Sequence, residues 1–219
     1  MFTTYHTDKV LDLFRATNYT APATLYVGLL TAVTDLEAGT VTEAGYAGYA
    51  RKAITLGAAA AGLGGRFIQN TSAVTFDAKT DAGSVSIIAL GFYDAISAGN
   101  LLAVEYLGDG NEPFAAIVDG TGVTNNTLAA SNHGLANDQQ VRVERSPGIG
   151  PVPTGLSENT TYYVVGTAND TFQLSATQAG AAIDITAEGA CLAHRVTPLS
   201  IAQNDQANFA INAVKVYLD

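Results

Sequence analysis

The chain has 219 residues, of which 47% are apolar and only 14% are charged, so it can fill one large domain or two small ones. Its formal net charge is −10, from ten basic and twenty acidic side chains. Nucleic acids and anionic membranes are bound through clustered positive charge; the nearest approaches to a cluster are Arg51-Lys52 and the pair of Arg142 and Arg145, so we expect a partner of neither kind.

The first predicted element is a helix within residues 6–19. Thr7 is the predicted N-cap, because its hydroxyl can accept a hydrogen bond from the first helical turn, and Pro22 disfavours continuation of the helix. Apolar side chains recur at helical spacing, so one face is predicted to dock on a sheet. Those side chains are Val10, Leu11, Leu13 and Phe14. No apolar run in the chain is long enough for a secretory signal or a transmembrane helix, so we expect a protein that stays in the cytosol until it assembles.

The next segments alternate between strands and glycine-rich connections. The nearly continuous apolar run 24–30 predicts a strand that is covered on both faces, and 49–56 predicts a second strand. The glycine-rich residues 35–49 are predicted to form a loop, and the small-residue stretch 57–70 a flexible connection.

Further strands follow on both sides of a long central segment. They are predicted at 72–78, 84–93, 100–107 and 208–219. Gly99-Asn100 is predicted to form the tip of a hairpin, because both residues favour tight turns. The closing strand is expected to be irregular near Asn212, where its alternation of apolar residues changes phase.

From about residue 109 to 195 the predicted strands become short and turns become frequent. Four are predicted, at 139–145, 160–166, 170–176 and 181–187. This segment can be removed without disturbing the flanking strand pattern, so 109–195 is predicted to be an inserted small β domain, a barrel or a sandwich. The remainder, 1–108 and 196–219, is predicted to form the core. The fold class is all-β, with an antiparallel, jelly-roll-like β-sandwich core and a short N-terminal helix.

Ser131, His133 and Asp138 lie close together in the segment 130–143 and raise the question of a catalytic triad. A triad needs convergence in space and an oxyanion hole, and no Gly-x-Ser-x-Gly motif occurs. Gly134 and the polar residues around it are typical of a turn between strands. We therefore predict a structural turn, and expect His133→Asn to leave folding unchanged.

Metal and redox sites receive little support from the sequence. Cys191 is the only cysteine, so it is expected to be a buried free thiol, and the three histidines lack metal-ligand spacing. Loop carboxylates could bind calcium, although no EF-hand pattern is present. They are Asp77, Asp81, Asp109 and Glu112. Solvated surface acids are the favoured interpretation of these four residues.

An enzyme acting on polysaccharide is the weakest of the classes considered. The acids are scattered, and tryptophan is absent, whereas a glycosidase needs two carboxylates facing across a cleft. Candidate sugar platforms are Tyr46, Tyr49, Tyr162 and Tyr163. Tyr162 and Tyr163 are adjacent in a strand, so one is expected to face inward. The glycine-rich stretch 62–67 lacks the Lys-Ser/Thr ending of a phosphate loop, and no catalytic, metal or cofactor site is predicted.

A family resemblance is carried by both parts of the sequence. The insertion contains HGLANDQQVRV, PTGLSENTTYYVVG and TFQLS, and over 128–186 it resembles a β module that recurs in tailed-bacteriophage virion proteins. The flanks contain TNYTAPATLYVGLLTA, SIIALGFYDAISAGNLLAVEYL and NDQANFAINAVKVYLD. They resemble a compact family of phage proteins described as tail-fibre or capsid decoration proteins.

The resemblance implies a non-enzymatic virion structural protein assembled in the host cytoplasm. The expected function is capsid decoration, a cement that binds the major capsid protein and stabilises the head. The alternative is a tail-fibre or receptor-binding component that contacts the host surface. A homo-oligomer, with a trimer favoured, is expected from the small-residue stretch 53–65, because small side chains let neighbouring backbones approach closely and closed symmetry buries such patches.

Overall fold

The computed structural model describes residues 2–62, 65–108, 114–145 and 150–218. Within these ranges the chain is mostly β, with eighteen strands and two helices, so the all-β class is confirmed. The chain divides into two compact units: unit 1 comprises Met1–Leu107 and Pro198–Asp219, and unit 2 comprises Gly108–Thr197.

Unit 1 begins with one helix and nine strands and ends with three further strands. The first ten elements are α1 (Thr4–Phe14), β1 (Leu25–Asp35), β2 (Thr40–Glu43), β3 (Lys52–Ile54), β4 (Ala60–Gly62), β5 (Gly65–Gln69), β6 (Val74–Thr75), β7 (Val85–Ile87), β8 (Ala89–Tyr93) and β9 (Leu101–Tyr106). Unit 2 contains β10 (Phe114–Val118), α2 (Gly120–Asn125), β11 (Leu128–Ala129), β12 (Gln140–Glu144), β13 (Thr160–Val165), β14 (Thr171–Ser175) and β15 (Gly189–Val196). The last strands of unit 1 are β16 (Leu199–Ile201), β17 (Asn208–Phe209) and β18 (Lys215–Leu218).

The main sheet of unit 1 has the order β2-β1-β8-β9, and β3 also pairs with β1. Every pairing is antiparallel, and β8 and β9 form the predicted hairpin. Gly99, in the turn of this hairpin, has φ +72, a left-handed conformation that favours glycine. Three small sheets pair the last strands with earlier ones: β16 with β7, β17 with β6, and β18 with β5, which also pairs with β4. The jelly-roll arrangement expected for unit 1 is not confirmed by this pairing.

Apolar side chains from both segments of unit 1 form one core. It includes Val27 and Leu29 of β1, Phe92 of β8, and Val214 and Val216 near the end of the chain. Alternate residues of a strand point to opposite faces, so short strands contribute one or two side chains each.

The helix begins earlier than predicted. Thr3, not Thr7, is the N-cap: its backbone is extended and its hydroxyl accepts a hydrogen bond from the His6 amide. The Thr3 hydroxyl also donates to the Leu101 carbonyl oxygen at 2.7 Å, and Phe2 forms a β-bridge with Ala103. Phe2 and Thr3 are therefore bonded to β9, and the helix begins immediately after them. The predicted docking of its apolar face is wrong, because no residue of α1 is buried.

Several strand boundaries differ from the prediction for reasons of pairing. The strand predicted at 24–30 extends to Asp35 because β2 pairs with its second half, which also places a strand in the predicted loop 35–49. The predicted flexible connection 57–70 contains β4 and β5. The predicted strand 84–93 changes partner at Ile88, where β7 pairs with β16 and β8 with β1.

The irregularity expected near Asn212 is present. Asn212 has φ +64, and it separates β17 and β18, which belong to different sheets. The closing segment is therefore two short strands with different partners, not one continuous strand.

Unit 2 is a closed barrel with the strand order β10-β11-β14-β13-β12-β15. Its interior is apolar, with Val141, Val143, Val164, Phe172 and Leu174 each at most 1% exposed. Three of the four predicted strands are present as β12, β13 and β14.

The strand predicted at 181–187 is wrong, and β15 occupies the next segment. Ile183 and Ile185 alternate as a strand would, but this segment makes isolated contacts: the Ile183 amide donates to the Leu174 carbonyl at 2.8 Å, and Ala187 bridges Thr154. β15 instead forms ladders with both β10 and β12. Cys191 and Ala193 of β15 point into the barrel and are small. The alternation of apolar and polar residues that predicts a strand is therefore weak in this segment.

Candidate functional site

The segment 130–143 has the predicted turn geometry. Asn132, Gly134 and Asp138 all have positive φ, between +51 and +68. Asp138 accepts a hydrogen bond from the Ala179 amide at 2.9 Å, whereas the His133 ring bonds the backbone around Ala168. These side chains thus hold different loops.

His133 does more than occupy a turn. Its side chain is buried, with the residue 3% exposed. The Leu135 amide donates to His133 Nδ1 at 3.0 Å, so the ring proton is on Nε2, which lies 2.9 Å from the Ala168 carbonyl oxygen. The ring packs edge-on against Phe172, with 5.0 Å between centroids. The expectation that His133→Asn leaves folding unchanged therefore loses its basis, because asparagine cannot supply both hydrogen bonds.

Arg195 extends this arrangement at one end of the barrel. Val141 is paired with Arg195 across β12 and β15, and the Arg195 Nη2 donates to the His133 carbonyl oxygen at 2.6 Å. His133 and Arg195 thus tie the 130–138 turn to β15, which is a structural role.

A second polar cluster lies in unit 1 around Arg51. Its guanidinium binds the Glu43 carboxylate through Nε and Nη2. The Nη1 donates to the carbonyl oxygens of Ala95 and Ala98 at 2.9 and 2.6 Å, and the guanidinium carbon lies 3.4 Å from the centre of the Tyr93 ring. The arginine therefore connects β2 to the β8–β9 hairpin turn.

Tyr49 completes the Arg51 cluster. Its hydroxyl donates to Glu43 Oε2 and accepts from the Leu29 amide, both at 2.9 Å. Burial raises the pKa of Glu43, but hydrogen bonds from Arg51 and Tyr49 outweigh it and hold this pKa below the ordinary value. Burial, reinforced by the charge of Glu43, raises the pKa of Tyr49 well above its ordinary range. An ionised carboxylate beside a neutral phenol holds structure and offers no group poised for proton transfer near neutral pH.

Strand glycines provide the space for these rings. Gly28 and Gly91 face each other across β1 and β8. A Cβ on Gly28 would lie 2.8 Å from the Tyr49 hydroxyl oxygen, and one on Gly91 would lie 2.9 Å from Tyr93 Cε2. The Gly28–Gly91 pair is therefore required for the packing of the cluster.

A third polar cluster lies on the outer wall of the barrel. Arg142 is 5% exposed, and its Nη2 donates to Glu144 Oε2 at 2.9 Å while its Nη1 lies 3.3 Å from Asn159 Oδ1. His194, paired with Arg142 across β12 and β15, has its Nε2 2.7 Å from the same Glu144 oxygen.

Glu144 is ionised by this surrounding charge. Burial acts to raise the pKa of Glu144, but the hydrogen bond from His194 and the charge of Arg142 lower it to about 2. A carboxylate with such a pKa is a poor general base or acid near neutral pH. The cluster therefore ties β12 to β15. It could not be predicted from the sequence because His194 lies about fifty residues after Glu144.

The predicted loop acids are engaged in ion pairs where the structure describes them. Asp77 lies 2.6 Å from Lys52 Nζ, and Asp81 lies 3.2 Å from Lys79 Nζ. Asp109 lies outside the described residues, as does Glu112. In the described part of the chain, no three histidine, cysteine or acidic side chains gather as a metal site would require.

The remaining sequence candidates occupy structural positions. Tyr46 and Tyr162 are each 6% exposed and belong to the two cores, whereas Tyr163 is half-buried on the opposite face of β13. Cys191 is buried, and burial raises the pKa of its thiol to about 12. Of the glycine-rich stretch 62–67, residues 63 and 64 lie outside the described ranges.

Comparison with known proteins gives a family for the chain. The model of the family described as podophage GP4 fiber I protein gp80 matches residues 1–112, which is just over half of the 219 residues. The chain belongs to this family. No curated protein matches it.

Membership of the fibre family makes the chain a phage virion structural protein. The match covers the first segment of unit 1 and ends at residue 112, shortly after unit 2 begins at Gly108. Neither helix in the described ranges has the length and apolar character that a membrane crossing requires.

Among the described residues of the fibre-family segment, two surfaces are left uncovered. The first is α1, on which four apolar side chains are exposed. They are Val10 (41%), Leu11 (55%), Leu13 (54%) and Phe14 (86%). The second is the edge strand β4, which pairs on one side with β5 and leaves Ala58–Ala61 exposed. Sequence reasoning treated α1 as a docked helix and so missed the first surface.

Proposed function

We propose that the chain is a non-enzymatic component of a podophage tail fibre. The observation that carries the proposal is the family match over residues 1–112. It favours the tail-fibre alternative over capsid decoration, because the matching family is described as a fibre protein. The polar clusters support a structural role, since the pKa of Glu43 is lowered by hydrogen bonds from Arg51 and Tyr49, and that of Glu144 by His194 and Arg142.

The location of the protein in the particle tests this proposal. Heads and tails are separated from disrupted virions, and the chain is quantified in each fraction against the major capsid protein. A tail fibre predicts recovery with the tails at a few copies per particle. Recovery with the heads, at a copy number comparable to that of the major capsid protein, would overturn the proposal in favour of capsid decoration.

We also propose that the chain forms a homo-oligomer, with a trimer favoured. The uncovered edge of β4 supports this, because an unpaired strand edge invites pairing with another chain. The exposed alanines of 58–61 let a neighbouring backbone approach closely. Light scattering coupled to size exclusion is the test: a mass near the 22.6 kDa of one chain at micromolar concentration would overturn a preformed oligomer.

Unit 2 is proposed to be the part that contacts the host surface. It lies almost entirely beyond the segment that the fibre family model matches, and surface-exposed modules carried by a scaffold are frequent sites of recognition. The purified full-length chain should then compete with phage for adsorption to host cells. A chain that carries substitutions on the exposed residues of unit 2 should lose the competition, whereas undiminished competition by this variant would contradict the assignment.

A further inference from the structure

His6 is the single histidine of unit 1, because His133 and His194 both lie in unit 2. Histidine is the side chain whose ordinary pKa lies between pH 5 and pH 8, whereas carboxyl groups ordinarily titrate below this range. A response of unit 1 to mild acid is therefore expected to depend on His6.

The His6 ring lies between two aromatic rings. It stacks on Phe2, with 4.9 Å between centroids and 21° between the planes, and it meets Tyr19 edge-on, with 6.4 Å between centroids. Phe2 forms the β-bridge with Ala103 of β9, whereas Tyr19 follows the C-terminal end of α1. The ring thus connects the residues before the helix to the residues after it.

One nitrogen of the His6 ring has no hydrogen-bond partner. Nδ1 is buried, and none of the described residues bonds to it. A neutral imidazole can keep its proton on Nε2 and leave Nδ1 as an acceptor, but the charged ring carries a proton on both nitrogens. Protonation therefore places an unsatisfied, charged donor in a buried position, which costs free energy.

The position of His6 in α1 acts in the same direction. His6 is the third residue of the helix, and a positive charge is disfavoured in the first turn, where the helix dipole is positive. Tyr19 does not compensate this charge, because burial raises its pKa and keeps the phenol neutral. The charged groups on the surrounding elements are Asp8, Lys9 and Asp12 of α1, Glu37 of the β1–β2 turn, Asp94 of the β8–β9 turn and Glu105 of β9. In the described part of the chain none of them shifts the pKa of His6, which burial lowers.

The N-terminal segment that contains His6 covers part of the edge of β9. In the described sheet, β9 stands at the end of the strand order β2-β1-β8-β9. The Thr3 amide donates to the Leu102 carbonyl oxygen at 3.0 Å, and the Thr3 hydroxyl donates to the Leu101 carbonyl oxygen at 2.7 Å. Release of this segment would remove these bonds and uncover a strand edge.

We propose that His6 is a pH-sensitive latch, which holds residues 2–15 against β9 near neutral pH and loosens them in mild acid. Above pH 6.5, the ordinary pKa of histidine, the ring is neutral in the bound and in the released segment, so binding has its full strength. Below pH 6.5 the released segment binds a proton more tightly than the bound segment does, so the equilibrium shifts toward release. The shift is complete once the pH is below the lowered pKa of the bound ring. This inference concerns unit 1 itself and does not depend on the proposed fibre function.

Hydrogen exchange of the full-length chain tests the latch. Protection factors of the α1 amides are compared at pH 7 and pH 5, with the amides of β8 as the internal reference. We expect the α1 values to fall by about twofold or more while those of β8 stay constant. A nuclear magnetic resonance titration of the His6 ring should give a midpoint below 6.5. Equal protection of α1 at the two pH values, or a midpoint of 6.5 or above, would overturn the proposal.

Two variants of His6 and one control identify the group that titrates. His6→Phe keeps an aromatic ring on Phe2 but cannot gain a proton, so its α1 protection should be the same at pH 7 and pH 5. His6→Gln provides the same comparison if the phenylalanine variant does not fold. His194→Gln is the matched control, because it removes a histidine of unit 2 and should keep the wild-type loss of α1 protection. A loss in His6→Phe or His6→Gln equal to that of wild type would overturn the role of His6.

Discussion

At the scale of single residues, Glu144 is predicted to make unit 2 sensitive to acid. Its pKa is lowered from 4.5 to about 2 in the folded chain, so its ion pairs stabilise the fold fully above about pH 4.5. This stabilisation is lost as the pH falls toward 2, because the Glu144 carboxylate binds a proton more tightly in the unfolded chain than in the folded chain. Glu144→Gln should lower the free energy of unfolding at pH 7 by on the order of 2 kcal/mol, and the difference from wild type should shrink as the pH approaches 2.

Urea titrations between pH 7 and pH 2.5, followed by far-ultraviolet circular dichroism, measure this difference. Glu158→Gln is the matched control, because Glu158 is exposed and its replacement should change stability little. A Glu144→Gln difference that stays constant with pH would contradict the assigned ion pairs.

His133 is predicted to contribute to stability through both ring nitrogens. His133→Asn should lower the free energy of unfolding by about 1–3 kcal/mol, since the bond to the Ala168 carbonyl is lost in a buried site. His133→Ala should cost more, because the contact with Phe172 is lost as well. Ser131→Ala is the control: Ser131 is exposed and should tolerate the change. Chemical unfolding of the three variants gives the comparison, and equal stability of His133→Ala and wild type would contradict the role of the ring.

At the scale of elements, the pairing of β1 with β8 depends on Gly28. Alanine usually stabilises a strand relative to glycine, but here its Cβ would meet the Tyr49 hydroxyl at 2.8 Å and Glu43 Oε2 at 3.2 Å. Gly28→Ala should therefore destabilise unit 1 by about 1–3 kcal/mol. Gly45→Ala is the control, because the space around Gly45 is open.

A double-mutant cycle identifies the cause of the Gly28 effect. In a Tyr49→Phe background the hydroxyl is absent, so Gly28→Ala should cost less than it does in the wild-type chain. The free energies of unfolding of the four proteins give the coupling. Equal costs in the two backgrounds would show that the crowding comes from a group other than the hydroxyl.

At the scale of the whole molecule, unit 1 is predicted to fold without the insertion. The apolar cores of the units share no residue, and the chain enters and leaves the barrel on paired strands, with Phe114 opposite Ala193. Replacing 109–195 by a short Gly-Ser linker should therefore leave a cooperatively folded protein. Circular dichroism and thermal melting measure the outcome.

Truncation after residue 107 is the matched control for the deletion. It removes β16–β18 together with the core residues Ile201, Val214 and Val216, so it should not fold. If the linker variant is as unfolded as the truncated chain, the two units depend on each other and the insertion is not a separate domain.

The sequence by itself determined the features that depend on local chemistry. The all-β class follows from apolar runs and alternation separated by glycine and asparagine turns, and the β8–β9 hairpin follows from Gly99-Asn100. The turn at 132–134 and the break at Asn212 can be predicted from the sequence, because positive φ is common only for glycine and a few residue types such as asparagine. The family resemblance lies in short motifs, whereas the separate folding of 109–195, inferred from the change of strand length, remains a prediction.

Only the tertiary structure decided which segments pair and which faces are covered. The apolar alternation at 181–187 is typical of a strand, yet the strand that lies between β10 and β12 is β15. The choice depends on pairing with strands that are distant in the sequence, because those partners close the barrel. The polar clusters of Arg51 and Arg142 each join neighbouring residues to a distant segment: the Arg51 guanidinium binds the Ala95 carbonyl, and His194 contacts Glu144. The helix α1 shows the same limit most clearly: its spacing predicts a docked apolar face, but backbone hydrogen bonds of Thr3 to a strand about 100 residues later turn that face outward.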